Sequence, residues 1–367
     1  MVRRWLRAAV VLGGACSIAV ALVLTGLASA GQSRPAHTSQ VCDRFASPTG
    51  KDRWSGTRAR PFISIPRLAA SLAPGQVGCL LRGSYLQDQI IIRRGGAPGK
   101  PIIIRGAPGT RPIVHGRITI AANVTDLVIA GLDLDGRNKI HGASPTILGD
   151  RITFQNNDVT NFNTEICFIL GSITRGNVAE GVVINANRIH NCGKLPPQNQ
   201  DHGIYVQYTR NTVIENNYIY DNADRGIQLY PDADGTTIEN NIIDGNGEGI
   251  IFSGDQGVAS DNNVVRDNVI SNSRVRSNIE YFYPEGTGPG QGNVVTHNCV
   301  FGAAEEEIDG AGYAFTAQDN LVTDPLFVDR AAKDFTLRPD SPCVSATPKL
   351  TPPAPRLAAL ASGSSKR

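Results

Sequence analysis

The sequence predicts an all-β solenoid, a fold in which short strands wind repeatedly around one elongated core. Between residues 201 and 252 one phrase recurs: an apolar strand ending in Ile-Glu-Asn-Asn, a hydrophobic pair, and a Gly-Ile strand introduced by a polar residue. A period of about two dozen residues is typical of repeat architectures. The strands are rich in β-branched residues and lie between Gly/Pro turns, and no strong 3.6-residue pattern indicates crossover helices. A solenoid enlarges a single core by stacking, so we expect one domain.

Residues 1–30 are predicted to be a signal peptide, so that the mature protein is secreted and extracellular. Three arginines precede a long apolar run that ends at Leu27, and a small-residue cleavage site, Ala28-Ser29-Ala30, follows it. The apolar run approaches membrane-spanning length, so an uncleaved anchor is the alternative. Cleavage would leave the protein without a membrane attachment. Residues 31–61 are polar and rich in Pro, Arg and Ser, and we expect them to form a leader along the first coil.

Six cysteines remain after the signal peptide, which itself contains Cys16. An even number of cysteines in an exported chain favours disulfide bonds. Six cysteines allow 15 sets of pairs, and no spacing is typical of zinc ligands. Their clustering in chain order favours three bonds, Cys42–Cys79, Cys167–Cys192 and Cys299–Cys343. The first and the last of these would tie the terminal segments to the solenoid.

The solenoid is expected to span residues 62–346, with a short helix at its N-terminal end and a capping segment at its C-terminal end. The helix is predicted over Pro66–Leu72, where Ala-Pro-Gly ends it. Residues 320–346 lose the repeat and are predicted to cover strand edges that would otherwise invite aggregation. Residues 347–367 are rich in Pro, Ala and Ser, and we expect them to be disordered.

One asparagine recurs in each regular coil, at steps of 30, 30, 24, 27 and 30 residues. Where a strand bends sharply into the next, one residue often adopts the left-handed conformation, which Asn tolerates well. Its amide can also bond the equivalent amide of the next coil. We therefore predict that this column is structural and lies outside any active site; its members are Asn157, Asn187, Asn217, Asn241, Asn268 and Asn298.

Alternation of apolar and other residues divides the strands between core and surface. Because side chains alternate faces along a strand, Tyr205, Gln228 and Ile251 should point outward in one stacked column. Two further polar columns are predicted beside it. One contains His202, Arg225, Glu248 and Asn278, and the other begins with Asp201 and Asp224.

Several stretches resemble secreted right-handed parallel β-helix proteins of the pectate-lyase-like superfamily. They are AASLAPGQVGCLLRGSY, GGAPGKPIIIRGAPG, the Ile-x-Asn-Asn-x-Ile coils and the ending DPLFVDRAAKDFTLRPDSPC, within residues 62–346. The resemblance implies a single-stranded right-handed parallel β-helix with three sheets and an outer groove for acidic polysaccharides. Members of this superfamily include lyases, hydrolases, epimerases and proteins with no known chemistry, and fold does not fix function.

The resemblance does not extend to a particular pectinase. The stretch Asp201-His202-Gly203 is similar to the Gly-His-Gly element of polygalacturonases, but its first residue is Asp. The other acidic and Arg-Ile-Lys elements of that family, and the Arg-x-Pro-x-x-Arg element of pectate lyases, are missing. The substrate class is therefore predicted only as an acidic polysaccharide.

Lyase-type β-elimination of a uronate polysaccharide is the leading prediction for the activity. It needs a base for the proton alpha to a carboxylate, and groups that hold the charge developing there. His202 or Tyr205 is suited to act as base or acid, and Arg225 to pair with the uronate. The predicted substrate-binding residues, three of them aromatic platforms for sugar rings, are Tyr205, Tyr208, Gln228 and Tyr230.

Four alternatives remain. Hydrolysis requires two carboxylates, for which Asp201, Asp224 and Glu248 are candidates. Uronate epimerisation is another. The same polar residues would also suit a non-catalytic carbohydrate-binding or cell-surface module, which the departures from enzyme motifs favour. The fourth alternative is that these residues form a surface salt-bridge ladder with no ligand.

No cofactor and no metal site are predicted. Calcium at the acidic turn beginning at Asp232 is the alternative, but one acidic pair supplies few of the 6–8 oxygens that calcium takes. The formal net charge of +2 gives no electrostatic case for a nucleic-acid partner. We expect a monomer whose partner is a cell-wall or other extracellular glycan.

Overall fold

Short strands make up nearly all the regular structure of residues 41–347, the part of the chain that this computed structural model describes. The first coils contain the helix α1 (Ile65–Ala70) and the strands β1 (Arg44–Ala46), β2 (Val77–Leu80), β3 (Ser84–Ile92), β4 (Ile102–Gly106), β5 (Ile113–Ile120), β6 (Thr125–Ala130), β7 (Asp133–Asp135), β8 (Thr146–Ile147), β9 (Asp150–Gln155) and β10 (Asp158–Thr160).

The middle coils contain β11 (Phe168–Leu170), a 3-10 turn (Ile173–Arg175), β12 (Ala179–Glu180), β13 (Val183–Asn185), β14 (Arg188–His190), β15 (Ile204–Arg210), β16 (Val213–Glu215), β17 (Tyr218–Tyr220), β18 (Arg225–Asp234), β19 (Thr237–Glu239), β20 (Ile242–Asp244), β21 (Glu248–Asp255) and β22 (Val258–Ala259). The last coils contain β23 (Val264–Arg266), β24 (Val269–Ser271), β25 (Ile279–Phe282), β26 (Val294–Thr296), β27 (Cys299–Phe301), β28 (Thr316–Gln318), β29 (Leu321–Val322), β30 (Phe327–Asp329), β31 (Asp334–Leu337) and the helix α2 (Cys343–Ala346).

The strands stack coil upon coil in parallel sheets. One sheet has the order β1-β2-β4-β6-β9-β13-β16-β19-β23-β26-β28, and a larger sheet of 18 strands covers the other sides of the coil. Within the larger sheet only the β21–β22 pair is antiparallel, and β30–β31 forms a separate antiparallel pair. The predicted all-β parallel solenoid is therefore confirmed. The predicted helix is present as α1, which buries Leu68 and Ala69.

The core is a stack of aliphatic side chains that repeat at equivalent positions of successive coils. Because each coil is too short to enclose its own apolar face, neighbouring coils bury it jointly. Buried and partly exposed residues alternate at the start of β15, as predicted, whereas the corresponding first residues of β18 and β21 are all buried. Fully buried members include Ile184, Ile214, Ile238, Val265, Ile189, Ile219, Ile243, Ile204, Ile227 and Ile250.

The recurrent asparagines form a buried hydrogen-bonded ladder, as predicted. The Oδ1 atom of Asn217 accepts from the backbone N–H of Asn187 at 2.8 Å and from its Nδ2 at 3.0 Å. The Nδ2 atom of Asn217 in turn donates to Oδ1 of Asn241 at 2.9 Å and to the carbonyl of Ile184 at 2.8 Å. Shorter ladders of the same kind join Asn222 to Asn246 and Asn263 to Asn293.

The prediction that these asparagines adopt the left-handed conformation is wrong. Positive φ occurs instead one residue earlier, at Asn156, Ala186, Asn216, Asn240, Asp267 and His297. The ladder needs a fully buried amide at the second position, whereas the residue that makes the bend lies nearer the surface. Bending and bridging are therefore separate tasks of adjacent residues.

Replacing Ala186 by asparagine is expected to raise the free energy of unfolding by about 0.5–1 kcal/mol. Ala186 has a φ of 54°, where a Cβ-bearing residue without a local side-chain hydrogen bond is strained and Asn is better tolerated. Urea denaturation measures the gain. The control is the same change at the exposed Ala122, which is outside the left-handed region and should change stability by less than about 0.5 kcal/mol. An Ala186→Asn protein no more stable than wild type contradicts this account.

All three predicted disulfide bonds are present: Cys42–Cys79, Cys167–Cys192 and Cys299–Cys343. The first joins the segment before β1 to β2, and the second joins two neighbouring coils. The third ties β27 to α2 at the C-terminal end. Each bond therefore crosslinks segments that are already adjacent in the solenoid.

The predicted capping segment runs back along the side of the solenoid. After β29, which pairs with β27 in the last coil, the ring of Phe335 packs against Tyr218 and Tyr220 of β17. The Arg330 Nε atom binds Asp244 at 2.9 Å, 86 residues earlier in the chain. The segment therefore covers the outer side of the middle coils, a position that the sequence did not predict.

The predicted signal peptide, residues 31–40 of the predicted leader, and residues 348–367 of the predicted tail lie outside the described residues. Within residues 41–347, no helix has the length and apolar character needed to cross a bilayer. Residues 41–46 of the predicted leader add β1 to the edge of β2, and the Tyr85 hydroxyl donates to the carbonyl of Ala46 at 2.8 Å.

Candidate functional site

A groove of about 280 Å³ lies on the outer face of β15, β18, β21 and β25, where the polar columns were predicted. Its lining contains five of the predicted site residues, namely His202, Tyr205, Arg225, Gln228 and Tyr230. The remaining lining residues are Asn199, Gln200, Ile251, Ser253 and Phe282. The structure therefore brings most of the predicted site together in one concave surface.

Strand register explains why these side chains meet. Tyr205 lies beside Gln228, and Gln228 beside Ile251, as the alternation predicted. The same column continues one coil further to Glu280, which the sequence interpretation missed. Because Ile250 pairs with Ile279, Asn278 lies beside Gly249 and not beside Glu248. Its predicted place in the His202 column is therefore wrong.

His202 provides a neutral imidazole at the groove. Burial, and secondly the nearby Arg225 guanidinium, hold its pKa well below the ordinary value of 6.5. Its residue surface is only 2% exposed, and its Nδ1 atom has no hydrogen-bond partner among the described residues. The ring meets Tyr205 edge to face, with 5.2 Å between the ring centroids. The imidazole is therefore uncharged at neutral pH and retains the capacity to accept a proton.

Two tyrosine rings on successive coils form an aromatic surface. The centroids of Tyr205 and Tyr230 are 6.1 Å apart and their planes are inclined by 25°. Burial is the main cause that raises the pKa of Tyr205 to about 12, so its hydroxyl stays protonated. The Tyr230 hydroxyl donates to Oδ2 of Asp255 at 2.9 Å, which fixes that ring. Tyr205 thus combines a flat face with a proton-donating group.

Arg225 belongs to a buried charge network behind the groove. Its Nε atom lies 2.8 Å from Oε2 of Glu248, and its terminal nitrogens donate to the backbone carbonyl and side chain of Asn199. Arg276 lies 3.6 Å from the Glu248 carboxylate and 3.7 Å from that of Glu280, so the two acidic groups lie close together beside one guanidinium. The predicted salt-bridge contact thus exists, but it is buried rather than exposed.

The predicted carboxylates Asp201 and Asp224 are buried and accept backbone hydrogen bonds. Asp224 Oδ2 accepts from the N–H groups of Gln200 and Asp201, and Asp201 Oδ2 accepts from Lys194. These bonds fasten residues 194–201, which supply Asn199 and Gln200 to one side of the groove. In this arrangement the two carboxylates shape the groove, and neither is among its lining residues.

Tyr208 lies apart from the groove. The strand register shifts between Val206 and Tyr208, and the Arg210 guanidinium covers the Tyr208 ring at 5.5 Å. Arg210 also pairs with Asp232 at 3.0 Å and Asp234 at 3.4 Å.

In the described part of the chain, no group of three or more His, Cys, Asp and Glu side chains is placed to hold a metal ion.

Comparison with solved structures agrees with this fold. A crystal structure of pectate lyase Pel9A superposes with a TM-score of 0.55 at 13% identity, covering 82% of this chain and 91% of that one. A rhamnogalacturonan lyase superposes with a TM-score of 0.50 at 14% identity, covering 78% and 90%. At these identities the likeness concerns the fold alone.

Sequence comparison identifies the family. The uncharacterized protein YwoF of Bacillus subtilis (strain 168) is 25% identical over 229 residues, which are 60% of this chain and 46% of that protein. The match thus spans about half the length of this relative. The family model described as the right handed beta helix region matches residues 137–324, just over half of the chain. The chain therefore belongs to the right-handed β-helix family.

Proposed function

We propose that the groove binds an extracellular acidic polysaccharide and cleaves it by β-elimination. The observation that carries the proposal is the composition of the groove: a neutral imidazole, a protonated tyrosine and an arginine meet there, and none of its lining residues in the described chain is Asp or Glu. Elimination uses a base and cationic or hydrogen-bonding groups. Glycoside hydrolysis ordinarily needs two Asp or Glu side chains of the enzyme, one on each side of the glycosidic bond.

The residues have distinct roles in this reaction. The His202 imidazole takes the proton from the uronate carbon next to the carboxylate, and a carbon–carbon double bond forms as the glycosidic oxygen leaves. The Tyr205 hydroxyl gives its proton to that oxygen. Arg225 and the Gln228 amide donate to the substrate carboxylate, on which negative charge develops. The roles of His202 and Tyr205 match the protonation states that burial gives these two groups.

The shape of the groove supports a polymeric sugar ligand. Tyr205 and Tyr230 present ring faces at one end, and Phe282, whose residue surface is 54% exposed, lies at the other. Such amphipathic rings suit the apolar faces of sugars. Coils stack about 4.8 Å apart, so the lining from β15 to β25 spans more than one sugar unit. The two solved structures named above are a pectate lyase and a rhamnogalacturonan lyase.

The three disulfide bonds support a location outside the cytoplasm. Disulfides persist in oxidising compartments and are rare where thiols are kept reduced. All six cysteines of the described chain are paired. A secreted protein would meet cell-wall or other extracellular glycans directly.

Replacing His202 by asparagine is expected to lower kcat/KM by about 10²–10⁴-fold, because the proton acceptor is lost. Polyuronates and glycosaminoglycans are screened for the ultraviolet absorbance of unsaturated uronate products. The matched control is His297→Asn, since His297 is exposed, distant in the coil pattern, and in a backbone conformation that Asn tolerates. Circular dichroism checks that both variants keep the wild-type fold.

Other outcomes assign other functions. Cleavage without unsaturated products indicates hydrolysis, and an altered uronate composition without cleavage indicates an epimerase. Retention on a glycan array without any product indicates a carbohydrate-binding module. That second candidate is favoured by one observation, the pairing of Arg225 with Glu248, which already neutralises part of the cationic charge. Unchanged turnover in His202→Asn removes His202 from the mechanism.

A further inference from the structure

Four charged side chains from successive coils converge behind the groove, and only Arg225 has a role in the proposed reaction. Arg225 and Glu248 approach to 2.8 Å, and Arg276 lies within 4 Å of both Glu248 and Glu280. Glu248 and Glu280 are almost completely buried. When two carboxyl groups lie close together at a buried position, it is unfavourable for both to be ionised, so one of them tends to keep a proton.

Hydrogen bonding in this cluster is incomplete when both carboxyl groups are ionised. Glu248 Oε2 and Glu280 Oε1 are buried without a donor among the described residues, and the N–H of Arg225 is not aligned with the oxygen it approaches. An ionised carboxylate only accepts hydrogen bonds, whereas a protonated one also donates. One proton on Glu280 allows it to donate to Glu248, and two adjacent carboxyl groups resist ionising together.

The proton changes the charge behind the groove. With Glu280 protonated, two guanidinium groups face one carboxylate, which leaves one positive charge in excess. Because the local dielectric constant is low, this excess positive charge attracts an anion more strongly than it would in water. The neighbouring titratable groups are the neutral His202 on one side and, on the other, Asp309, which follows the Ile308 that pairs with Ile279.

We propose that Glu280 is a specificity-determining residue, which by holding a proton against Glu248 leaves Arg225 charge available to an anionic sugar in the groove. The inference rests on the proposed function, because it assigns the groove an anionic ligand. Glu280 itself is not a lining residue and does not contact the substrate. It acts through Glu248 and Arg225.

Electrostatics supports this assignment and fixes the direction of its pH dependence. Burial, and then contact with Glu248, raise the pKa of Glu280 from 4.5 to about 8. Because the raised pKa belongs to an acid, Glu280 stays neutral through neutral pH and ionises above that value. Ionisation cancels the excess positive charge, so affinity for an anionic ligand should fall as the pH rises through about 8.

The test compares the wild type with Glu280→Gln, which is neutral at every pH. Wild-type affinity for a uronate oligosaccharide is expected to weaken by about tenfold between about pH 6 and about pH 9, which corresponds to the loss of one partly screened charge contact. The affinity of Glu280→Gln should stay level over that range. A methyl-esterified oligosaccharide, which carries no charge, should show no such dependence with either protein.

A readout without any glycan separates this inference from the proposed function. The carbon-13 shift of the Glu280 carboxyl in the wild type should titrate near pH 8. In addition, the unfolding free energy of the wild type should fall relative to Glu280→Gln as the pH rises from 4.5 to 8, since the folded state retains the proton that the unfolded state releases. Ordinary titration below about pH 6 overturns the inference and leaves the lyase proposal standing. Titration near pH 8 in a protein that binds no acidic oligosaccharide overturns the proposed function instead.

Discussion

Replacing Asn217 by alanine is expected to lower the free energy of unfolding by about 3–5 kcal/mol. Its amide is fully buried at the middle of the longest ladder and serves four hydrogen bonds. Alanine leaves the N–H of Asn187 and the carbonyl of Ile184 without the Asn217 amide, and each loss costs about 1–3 kcal/mol when buried. The Oδ1 atom of Asn241 keeps the bond from the backbone N–H of residue 217. The vacated volume adds a cavity between three coils.

Urea denaturation of the two-state transition measures this loss, and the end of the same ladder provides the control. Asn320 accepts from Asn298 and donates to the carbonyl of Val295, but no further amide of the ladder follows it. Because Asn320 is also only partly buried, Asn320→Ala should cost less than half as much. Equal losses at the two sites would show that position in the ladder does not matter.

The ladder also shows which features of the fold the sequence predicts and which it does not. Pairs such as Asn216-Asn217 do not reveal which asparagine bends the chain and which one bridges the coils. The coil with Ala186-Asn187 does, because only the second position is always Asn. The second position is Asn in every coil, which indicates that its amide makes a specific hydrogen bond. The first position varies from coil to coil, because its residue needs only to tolerate a positive φ. The period predicted the solenoid, but assigning these tasks required comparing the coils position by position.

The candidate site was predicted wherever the coils keep the same register. His202, Arg225 and Glu248 each directly precede a Gly-Ile pair, so their alignment was sound. The next coil has Asn278-Ile279 in place of Gly-Ile, and aligning its polar residue with Glu248 shifted the register by one. That shift misplaced Asn278 and hid Glu280. Alignment on the inward isoleucines would have corrected both.

The sequence repeat did not predict contacts between segments that are far apart in the chain. The pairing of Arg330 with Asp244 joins a non-repetitive segment to a coil 86 residues earlier. A periodic pattern predicts only which residues are neighbours in adjacent coils. The path of the C-terminal segment depends on packing around Phe335. No local sequence pattern predicts that packing.

Replacing Glu248 by leucine is expected to lower the free energy of unfolding by about 3–5 kcal/mol, because it leaves a buried guanidinium without its counter-ion. Arg225 is nearly as buried as Glu248 and lies 2.8 Å from it, whereas Arg276 is partly exposed. The Arg225 side chain is only 5% exposed, at the groove. The loss should therefore be larger than for a surface ion pair, which contributes about 0–1 kcal/mol. Urea denaturation at neutral pH measures it.

The double variant Arg225→Leu/Glu248→Leu separates the cost of an unpaired charge from the cost of lost packing. Removing both partners leaves Arg276 beside Glu280, which ionises more readily once the Glu248 carboxyl is gone, so the remaining charges balance. Replacing a buried ion pair by apolar residues is often neutral or stabilising, and the double variant should recover most of the stability that Glu248→Leu loses. A double variant less stable than Glu248→Leu would mean that Arg225 stabilises the fold through Asn199 rather than through Glu248. Recovery would mean that the ion pair is dispensable for folding, which fits the proposed role of Arg225 in binding a ligand at the groove.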